Sequence, residues 1–188
     1  MNPSPFNPPA PSLRDYQLEV TTVQTFSLDA EDTDIFADYA RGVSARVLKL
    51  DEGQTEPLVV GTASGTLFLG SLAAREGIPL RELLDAHDGD LVAMFDVFNE
   101  PGSPIVDQDL LYVEEMAVEP QHELTRTRAA IVDQLLRTAG SGVERAFTWQ
   151  ELFNLPDGSD EEQAEHSPDC CFTYLDEGMM MVLRLDSH

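Results

Sequence analysis

The sequence predicts a single α/β domain, of the α+β kind, whose mixed and mostly antiparallel sheet is covered by helices. The first observation is a strand, a short loop and an amphipathic helix that follow one another between Leu110 and Ala139. The second is a set of β-rich segments joined by short turns on both sides of this unit. A length of 188 residues with a hydrophobic fraction of 42% suits one domain with its own core.

The amino-terminal part predicts an arm, a strand and a short helix. Residues 1–13 contain five prolines, which lack an amide donor and disfavour helix in the preceding residue, so we expect a disordered arm ahead of a domain over 14–188. Leu18 to Leu28 is rich in β-branched residues and predicts the first strand. Asp29 to Arg41 begins with acidic residues and favours the amino end of a short helix.

A pair of antiparallel strands is expected next. Val43 to Leu50 and Pro57 to Leu69 have strand composition and are joined by an acidic turn. Glycine has no side chain to pack in a strand, and it often marks a site where the strand bends. Gly61 and Gly65 therefore indicate a bulge or a bend in the second strand.

The rest of the chain predicts helices, two further strands and a closing hairpin. Ile78 to Asn99 keeps helical spacing of apolar residues on both sides of a break near Asp88. Leu110 to Val118 predicts the central strand, and the spacing from Thr125 onward predicts the helix packed on it. The expected segments after that helix are a strand over Glu144–Gln150, an acidic loop over Asn154–Pro168, and a hairpin of Cys170–Leu175 and Met179–Leu185.

The charge balance limits the classes of partner. The chain has 11 basic and 35 acidic residues and a formal net charge of −24. Such a chain repels nucleic acid and anionic membrane, so we expect neither as a partner. A basic protein or a polyamine is the complementary kind of partner, and a homodimer stays open. Adaptation to salt, or solubility alone, explains the same charge without any partner.

Cysteine and histidine usage predicts no metal and no disulfide. The two cysteines, Cys170 and Cys171, are adjacent, and vicinal pairing is strained. No histidine or cysteine cluster has zinc-ligand spacing. The amino-terminal sequence lacks the basic and apolar regions of a signal peptide, and no apolar run reaches the ~20 residues that cross a bilayer. We therefore expect a cytoplasmic protein.

The segment around the central helix resembles the core motif of the GNAT family of acetyl-CoA dependent N-acyltransferases. Val118-Glu119-Pro120-Gln121-His122 matches the family's approach to the cofactor loop, and Ala130 to Leu136 matches its helix. The loop between them departs from the family pattern. Glu123 stands where Arg or Gln is expected, and Arg126 and Arg128 stand where two small residues are expected. The resemblance implies a pair of diverging central strands beside this helix.

The resemblance also implies where acetyl-CoA would bind. The backbone of Met116, Ala117 and Val118 would pair with the pantetheine arm. Amides of the next loop would contact the pyrophosphate, namely those of Leu124, Thr125, Arg126, Thr127 and Arg128. Glycine lets backbone N–H groups approach phosphate without a Cβ in the way, and two arginines remove that freedom. The arginines would instead offer guanidinium contacts to phosphate or face solvent among the acids.

Three residues are candidates for catalysis by resemblance to the family. Glu114 or Glu115 would be the general base on an amine substrate, and strand alternation predicts that only one of them faces the cleft. Tyr174 lies near where the family commonly places a tyrosine as general acid, but the residues around it lack the usual Tyr-x-x-x-Gly-Phe context, so core packing is the favoured interpretation of Tyr174. The leading hypothesis is a relative in which acetyl-CoA binding is weakened or lost and which acts by binding or assembly. An active N-acyltransferase and an acidic protein that binds basic partners are the alternatives, and enzymatic activity stays open.

Overall fold

A computed structural model of the chain describes most of its residues. The described residues are 13–24, 37–50, 55–99, 108–123, 127–139, 143–153, 170–174 and 179–184.

The described residues form seven strands, four α-helices and four short 3-10 turns. The strands are β1 Tyr16–Val23, β2 Ala40–Lys49, β3 Leu58–Phe68, β4 Asp109–Val118, β5 Val143–Trp149, β6 Cys170–Tyr174 and β7 Met179–Arg184. The helices are α1 Gly70–Arg75, α2 Leu80–His87, α3 Gly89–Phe98 and α4 Thr127–Ala139. The 3-10 turns are Leu13–Asp15, Ala37–Tyr39, Pro120–His122 and Gln150–Phe153.

All seven strands lie in one sheet, in the order β1-β2-β3-β4-β5-β7-β6. The pair β4 and β5 is parallel, and the other five neighbouring pairs are antiparallel. The predicted α+β class, with a mixed and mostly antiparallel sheet flanked by helices, is confirmed. Strand β7 lies between β5 and β6, so the carboxyl-terminal hairpin extends the sheet beyond the parallel pair.

Helices cover the two faces of the sheet. On one face, Ala130 and Ile131 of α4 lie across a groove from Leu18 and Val47. Strand alternation places Phe68 on the opposite face, where its ring stacks edge-on against His87 at the end of α2. The core therefore has two layers, with fully buried side chains on both sides. The largest of these are Phe68, Phe147, Leu67, Leu83, Leu84, Leu91, Met94, Leu110, Leu111 and Leu136.

Two β-bulges interrupt the sheet beside the glycines of β3. Val47 pairs with Gly61, whereas Leu48 pairs with Val59, which leaves Val60 as the extra residue. Ser64 pairs with Glu115, whereas Gly65 pairs with Val113, which leaves Glu114 as the extra residue on β4. The predicted bulge or bend at Gly61 and Gly65 is confirmed, and one of the two extra residues belongs to the neighbouring strand.

Some predicted boundaries differ from the structure. The first strand runs over Tyr16–Val23, where it pairs with β2, so it begins two residues before the predicted start at Leu18, and residues 25–28 of that prediction lie outside the described residues. The prediction of a helix over 29–41 is wrong at its carboxyl end. A 3-10 turn covers Ala37–Tyr39, and Ala40 begins β2, where it pairs with Phe68. Helix α1 was not predicted, since six residues are too few for a clear period. Residues 1–12, 29–36 and 154–168 lie outside the described residues.

The predicted break in the helical region is confirmed at Asp88. Helix α2 ends at His87 and α3 begins at Gly89. The side chain of Asp88 accepts a hydrogen bond from the backbone N–H of Asp90 at 3.0 Å and so caps α3. Within the described ranges, no helix is long and apolar enough to cross a membrane. In the same ranges, no group of three or more His, Cys, Asp or Glu side chains could hold a metal ion.

We expect Gly65→Ala to destabilise the protein by about 1–3 kcal/mol, because a methyl group there collides with backbone that cannot move aside. A Cβ at Gly65 would lie 2.0 Å from the carbonyl oxygen of Tyr112. Gly42→Ala is the matched control, since its Cβ would come no nearer than 3.7 Å to another atom. Urea unfolding of both variants measures the difference. Equal stability of the two would contradict the close approach of β3 and β4 at this bulge.

Candidate functional site

The parallel strands β4 and β5 are hydrogen-bonded over only part of their length. Pairing begins at Asp109 with Val143 and ends at Tyr112 with Phe147. Strand β4 nevertheless continues to Val118, and β5 continues to Trp149. Beyond Tyr112, the edge of β4 that faces β5 therefore has no strand partner among the described residues. We call this gap between the two strands the β4–β5 cleft.

The guanidinium group of Arg128, in the first turn of α4, lies in the β4–β5 cleft. Its Nη1 donates to the carbonyl oxygen of Met116 on β4 at 3.3 Å and also to the carbonyl oxygen of Leu152 after β5. Its Nε and Nη2 donate to the two carboxylate oxygens of Glu123, the second at 3.2 Å. The Arg128 side chain is only 11% exposed and that of Glu123 is 26% exposed. One side chain thus joins four segments of the chain.

The contacts of Arg128 differ from those expected of a cofactor loop. One interpretation of the sequence predicted that the Arg128 guanidinium faces solvent. The guanidinium instead contacts a carboxylate and two backbone carbonyls. A cation in the first turn of a helix is opposed by the helix dipole. The position is therefore stabilised by its partners, Glu123 above all, because a buried guanidinium needs a counter-charge and acceptors for its N–H groups.

Three of the other predicted cofactor-binding residues, Met116, Ala117 and Val118, lie on the part of β4 that continues beyond its pairing with β5. Met116 and Val118 are buried and Ala117 is exposed, and the Met116 carbonyl is already an acceptor for Arg128. Thr127 is the buried first residue of α4. Leu124, Thr125 and Arg126 lie outside the described residues.

Glu114 is the extra residue of the β4 bulge, and its carboxylate makes two contacts. Thr66 donates its hydroxyl to Glu114 Oε1 at 2.8 Å. His87 Nε2 lies 3.4 Å from the same oxygen, and both the His87 and Glu114 side chains are 36% exposed. The His87 ring stacks edge-on against Phe68 with centroids 5.1 Å apart. The cluster thus fixes the carboxylate from two sides and leaves part of it accessible.

The prediction that only one of Glu114 and Glu115 can face the cleft side is wrong. Strand alternation places Glu115, Ser64 and Thr66 on one face of the sheet, and the carboxylate of Glu114 reaches Thr66 on that same face. The physical reason is the bulge, because an extra residue breaks the alternation and re-aims the side chain next to it. Two adjacent carboxylates therefore share one face.

A groove of about 550 Å³ lies on this face, beside the bulge. Its polar lining includes Ser44, Arg46, Thr62, Ser64 and Glu115, and Leu152 borders it on the side of the cleft. Arg46 Nε donates to Glu19 at 2.7 Å, so its charge is already balanced. Glu115 has no such cation among its described contacts, so the groove as a whole carries negative charge.

Tyr112 and Trp149 form the wall at the point where pairing of β4 and β5 ends. The indole Nε1 of Trp149 donates to the Tyr112 hydroxyl at 3.1 Å. Burial raises the pKa of Tyr112, the hydrogen bond from Trp149 opposes that rise, and the carboxylates of Asp88, Glu114 and Asp90 add to it. The acidic groups of the α2–α3 junction and of the bulge therefore act on one buried phenol.

Tyr174, the candidate general acid, lies in β6 and pairs with Met180 of β7. Strand β6 is three places from β4 in the sheet. At about 4.8 Å per strand, its backbone is about 14 Å from that of the Glu114 strand. The structure thus separates the backbones of the two candidate catalytic residues by β5 and β7.

A second groove, of about 400 Å³, lies on the opposite face between β1 and α4. Leu18, Val47 and Ile131 give it an apolar lining. Tyr16 also lines it, and the Tyr16 hydroxyl lies 3.1 Å from Nδ1 of His122 in the turn before α4. This contact ties the sheet edge to the segment that carries Glu123 and Arg128.

Sequence reasoning missed the two partners of Glu114 and the direction of Arg128. His87 and Thr66 are 27 and 48 residues away from Glu114 along the chain, and neither stands in a motif. The available signal was Gly65, which marks the bulge that brings them together. Comparison of the chain with protein-family models, with curated proteins and with solved structures gave no match.

We expect Glu114→Ala to lower the free energy of unfolding by about 1–2 kcal/mol, because Thr66 loses a hydrogen bond to a charged acceptor and Thr66 is buried. Glu115→Ala is the matched control. Its side chain is exposed, so its effect should stay within about 0.5 kcal/mol. Chemical denaturation at neutral pH tests both. A larger effect of Glu115→Ala would contradict the assignment of Glu114 as the anchored carboxylate.

We also expect stability to fall in alkaline solution through Tyr112. The pKa of Tyr112 is raised in the folded protein, so the unfolded chain loses this proton first. The stabilisation is complete below the unfolded pKa of about 10 and is lost as the pH rises from there through the folded pKa. The urea midpoint, measured from about pH 8 to about pH 11, should decline less with rising pH in Tyr112→Phe than in the parent protein. An unchanged slope in that variant would contradict the assignment.

Proposed function

We propose that this chain is a divergent relative of the acetyl-CoA dependent N-acyltransferases, with a GNAT-like fold, in which acetyl-CoA binding is weakened or lost and which acts by binding or assembly. The kinship is supported by the parallel pair β4 and β5, which loses its hydrogen bonds after Tyr112 beside the amino end of α4. It is supported further by the match of residues 118–122 and 130–136 to the family motif.

The loss of cofactor binding is supported by one observation above all, the Arg128 guanidinium in the β4–β5 cleft. An extended pantetheine arm that pairs with β4 would need the backbone groups of Met116. The carbonyl of Met116 accepts from Arg128, and the same guanidinium reaches Leu152 on the other side of the cleft. A ligand arm would therefore compete with this side chain for the same acceptors and for the same space in the cleft.

The charges around the cleft also disfavour a diphosphate. Glu123 lies at the approach to α4 and is ion-paired with Arg128, so the charge of Arg128 is already neutralised. Glu114 and Glu115 add negative charge on the adjoining face, and the whole chain carries −24. Like charges repel, and repulsion lowers both the affinity and the rate of approach of an anionic ligand. The described residues therefore do not fit coenzyme A.

A protein of this kind would act through its surface. The groove beside Glu115 and the excess of carboxylates favour a basic protein or a polyamine as partner. They do not favour a second copy of the chain, which carries the same net charge. A cytoplasmic setting is part of the same proposal, since the vicinal cysteines suit a reducing compartment.

Isothermal titration of the full chain with acetyl-CoA tests the loss of binding. We expect no measurable heat of binding at cofactor concentrations up to about 1 mM, because the arm would have to displace a buried and bidentate ion pair. Coenzyme A serves as the second ligand. A basic peptide of about the same length as acetyl-CoA serves as the charge control. Low-micromolar binding of acetyl-CoA would overturn the proposal.

An active N-acyltransferase is the second candidate, and Glu114 is the observation that favours it. A carboxylate held by Thr66 and His87 but still partly exposed has the form of a general base. The double variant Arg126→Gly, Arg128→Gly separates the two candidates. In a relic it should regain cofactor affinity, because the guanidinium leaves the cleft, whereas in an active enzyme it should not improve turnover of amine substrates.

A further inference from the structure

The contacts of Arg128 have the geometry of a binding site for a guanidinium group. A guanidinium presents five N–H donors in one plane, in a rigid fork that matches a carboxylate. The Glu123 carboxylate takes the side of the fork formed by Nε and Nη2, and the carbonyl oxygens of Met116 and Leu152 take Nη1. Four of the five donor positions thus have acceptors, and these come from three separate segments of the chain.

Two other arginine pairs that join described elements, Arg81 with Asp96 and Arg46 with Glu19, lack this arrangement. Arg81 pairs with Asp96 through side chains alone, and both side chains are about half exposed, at 53% and 50%. Arg46 pairs with Glu19 in the same exposed way. Exposed pairs of this kind contribute little to stability, because water competes for both partners. The 11% exposure of Arg128 and its two backbone acceptors set it apart.

The backbone acceptors explain why the group has to be a guanidinium. Carbonyl oxygens at the open edge of a strand need hydrogen-bond donors once they are shielded from water. An ammonium group is a compact charge that cannot reach a carboxylate and two carbonyls in one plane. A neutral side chain would remove the counter-charge that Arg128 supplies to the half-buried Glu123 carboxylate.

We infer that the β4–β5 cleft is a guanidinium-recognition site, formed by Glu123 and the carbonyls of Met116 and Leu152 and filled from within by Arg128. Arg128 is in this sense an internal ligand that keeps the cleft closed. When Arg128 is shortened, the site accepts a small alkylguanidinium in its place. This inference extends the proposed function and rests on it, because a cleft that is occupied by the protein's own Arg128 side chain has no room for a cofactor arm.

Chemical rescue of Arg128→Ala is the test, with ethylguanidinium as the probe. Removing one partner of a largely buried ion pair should lower the melting temperature by roughly 5–10 °C in a domain of this size. With a dissociation constant of about 1 mM, about 10 mM ethylguanidinium should restore roughly 3–5 °C of that loss. Ethylammonium at the same concentration should restore none, since it matches the charge and the ionic strength but lacks the planar fork.

Two further variants make the result decisive. Arg81→Ala, the matched exposed arginine, should melt within about 2 °C of the parent and show no rescue. Arg128→Lys keeps the charge and most of the volume of the side chain, so it is the variant to measure if Arg128→Ala does not fold. We expect its melting temperature to be lower than that of the parent by about 3 °C or more, because the lysine loses roughly one charged contact. A parent-like melting temperature of Arg128→Lys would overturn the inference.

The remaining outcomes are assigned as follows. Equal rescue by ethylammonium would overturn guanidinium recognition, and so would a parent-like melting temperature of Arg128→Ala. Binding of acetyl-CoA to the parent protein, with rescue intact, would overturn the proposed function alone. Absence of rescue, with no acetyl-CoA binding by the parent, would overturn this inference alone.

Discussion

The partly buried ion pair of Arg128 and Glu123 is the interaction on which the arrangement of the central cleft depends. It holds the start of α4 against β4 through Met116 and against the segment after β5 through Leu152. A charge at such a position is unfavourable unless it is paired and fully hydrogen-bonded. The two strands can therefore part after Tyr112 without exposing the open edge of β4, because one side chain lies in the gap.

The bulge at Glu114 is the second constraint, and it acts on the face beside the cleft. Gly65 lets β3 approach the carbonyl of Tyr112, and the extra residue then turns the Glu114 carboxylate toward Thr66 and His87. A bulge next to a strand divergence can re-aim a side chain for chemistry. In this chain the same geometry concentrates negative charge beside a closed cleft, which suits recognition of a cation better than that of a diphosphate.

The strand and helix pattern was largely predictable from the sequence, and the site was predictable only in part. The central strand and α4 follow from composition and apolar period, because packing on a sheet selects that period. The two bulges were predictable from Gly61 and Gly65. The contact of Glu114 with His87 was out of reach, since it joins distant segments through tertiary packing. Arg128 was predicted to lie in the loop before α4, whereas it lies in the first turn of that helix. No local rule gives the direction of a side chain whose partners are a carboxylate and backbone carbonyls.

We propose that Arg128 occupies the space in which a cofactor arm would pair with β4. A crystal structure of the protein grown with excess coenzyme A would test this. We expect the guanidinium to bridge Met116, Glu123 and Leu152, with no ligand density between β4 and β5. A diphosphate at the head of α4, with a pantetheine arm along Met116 and the Arg128 side chain displaced, would contradict it.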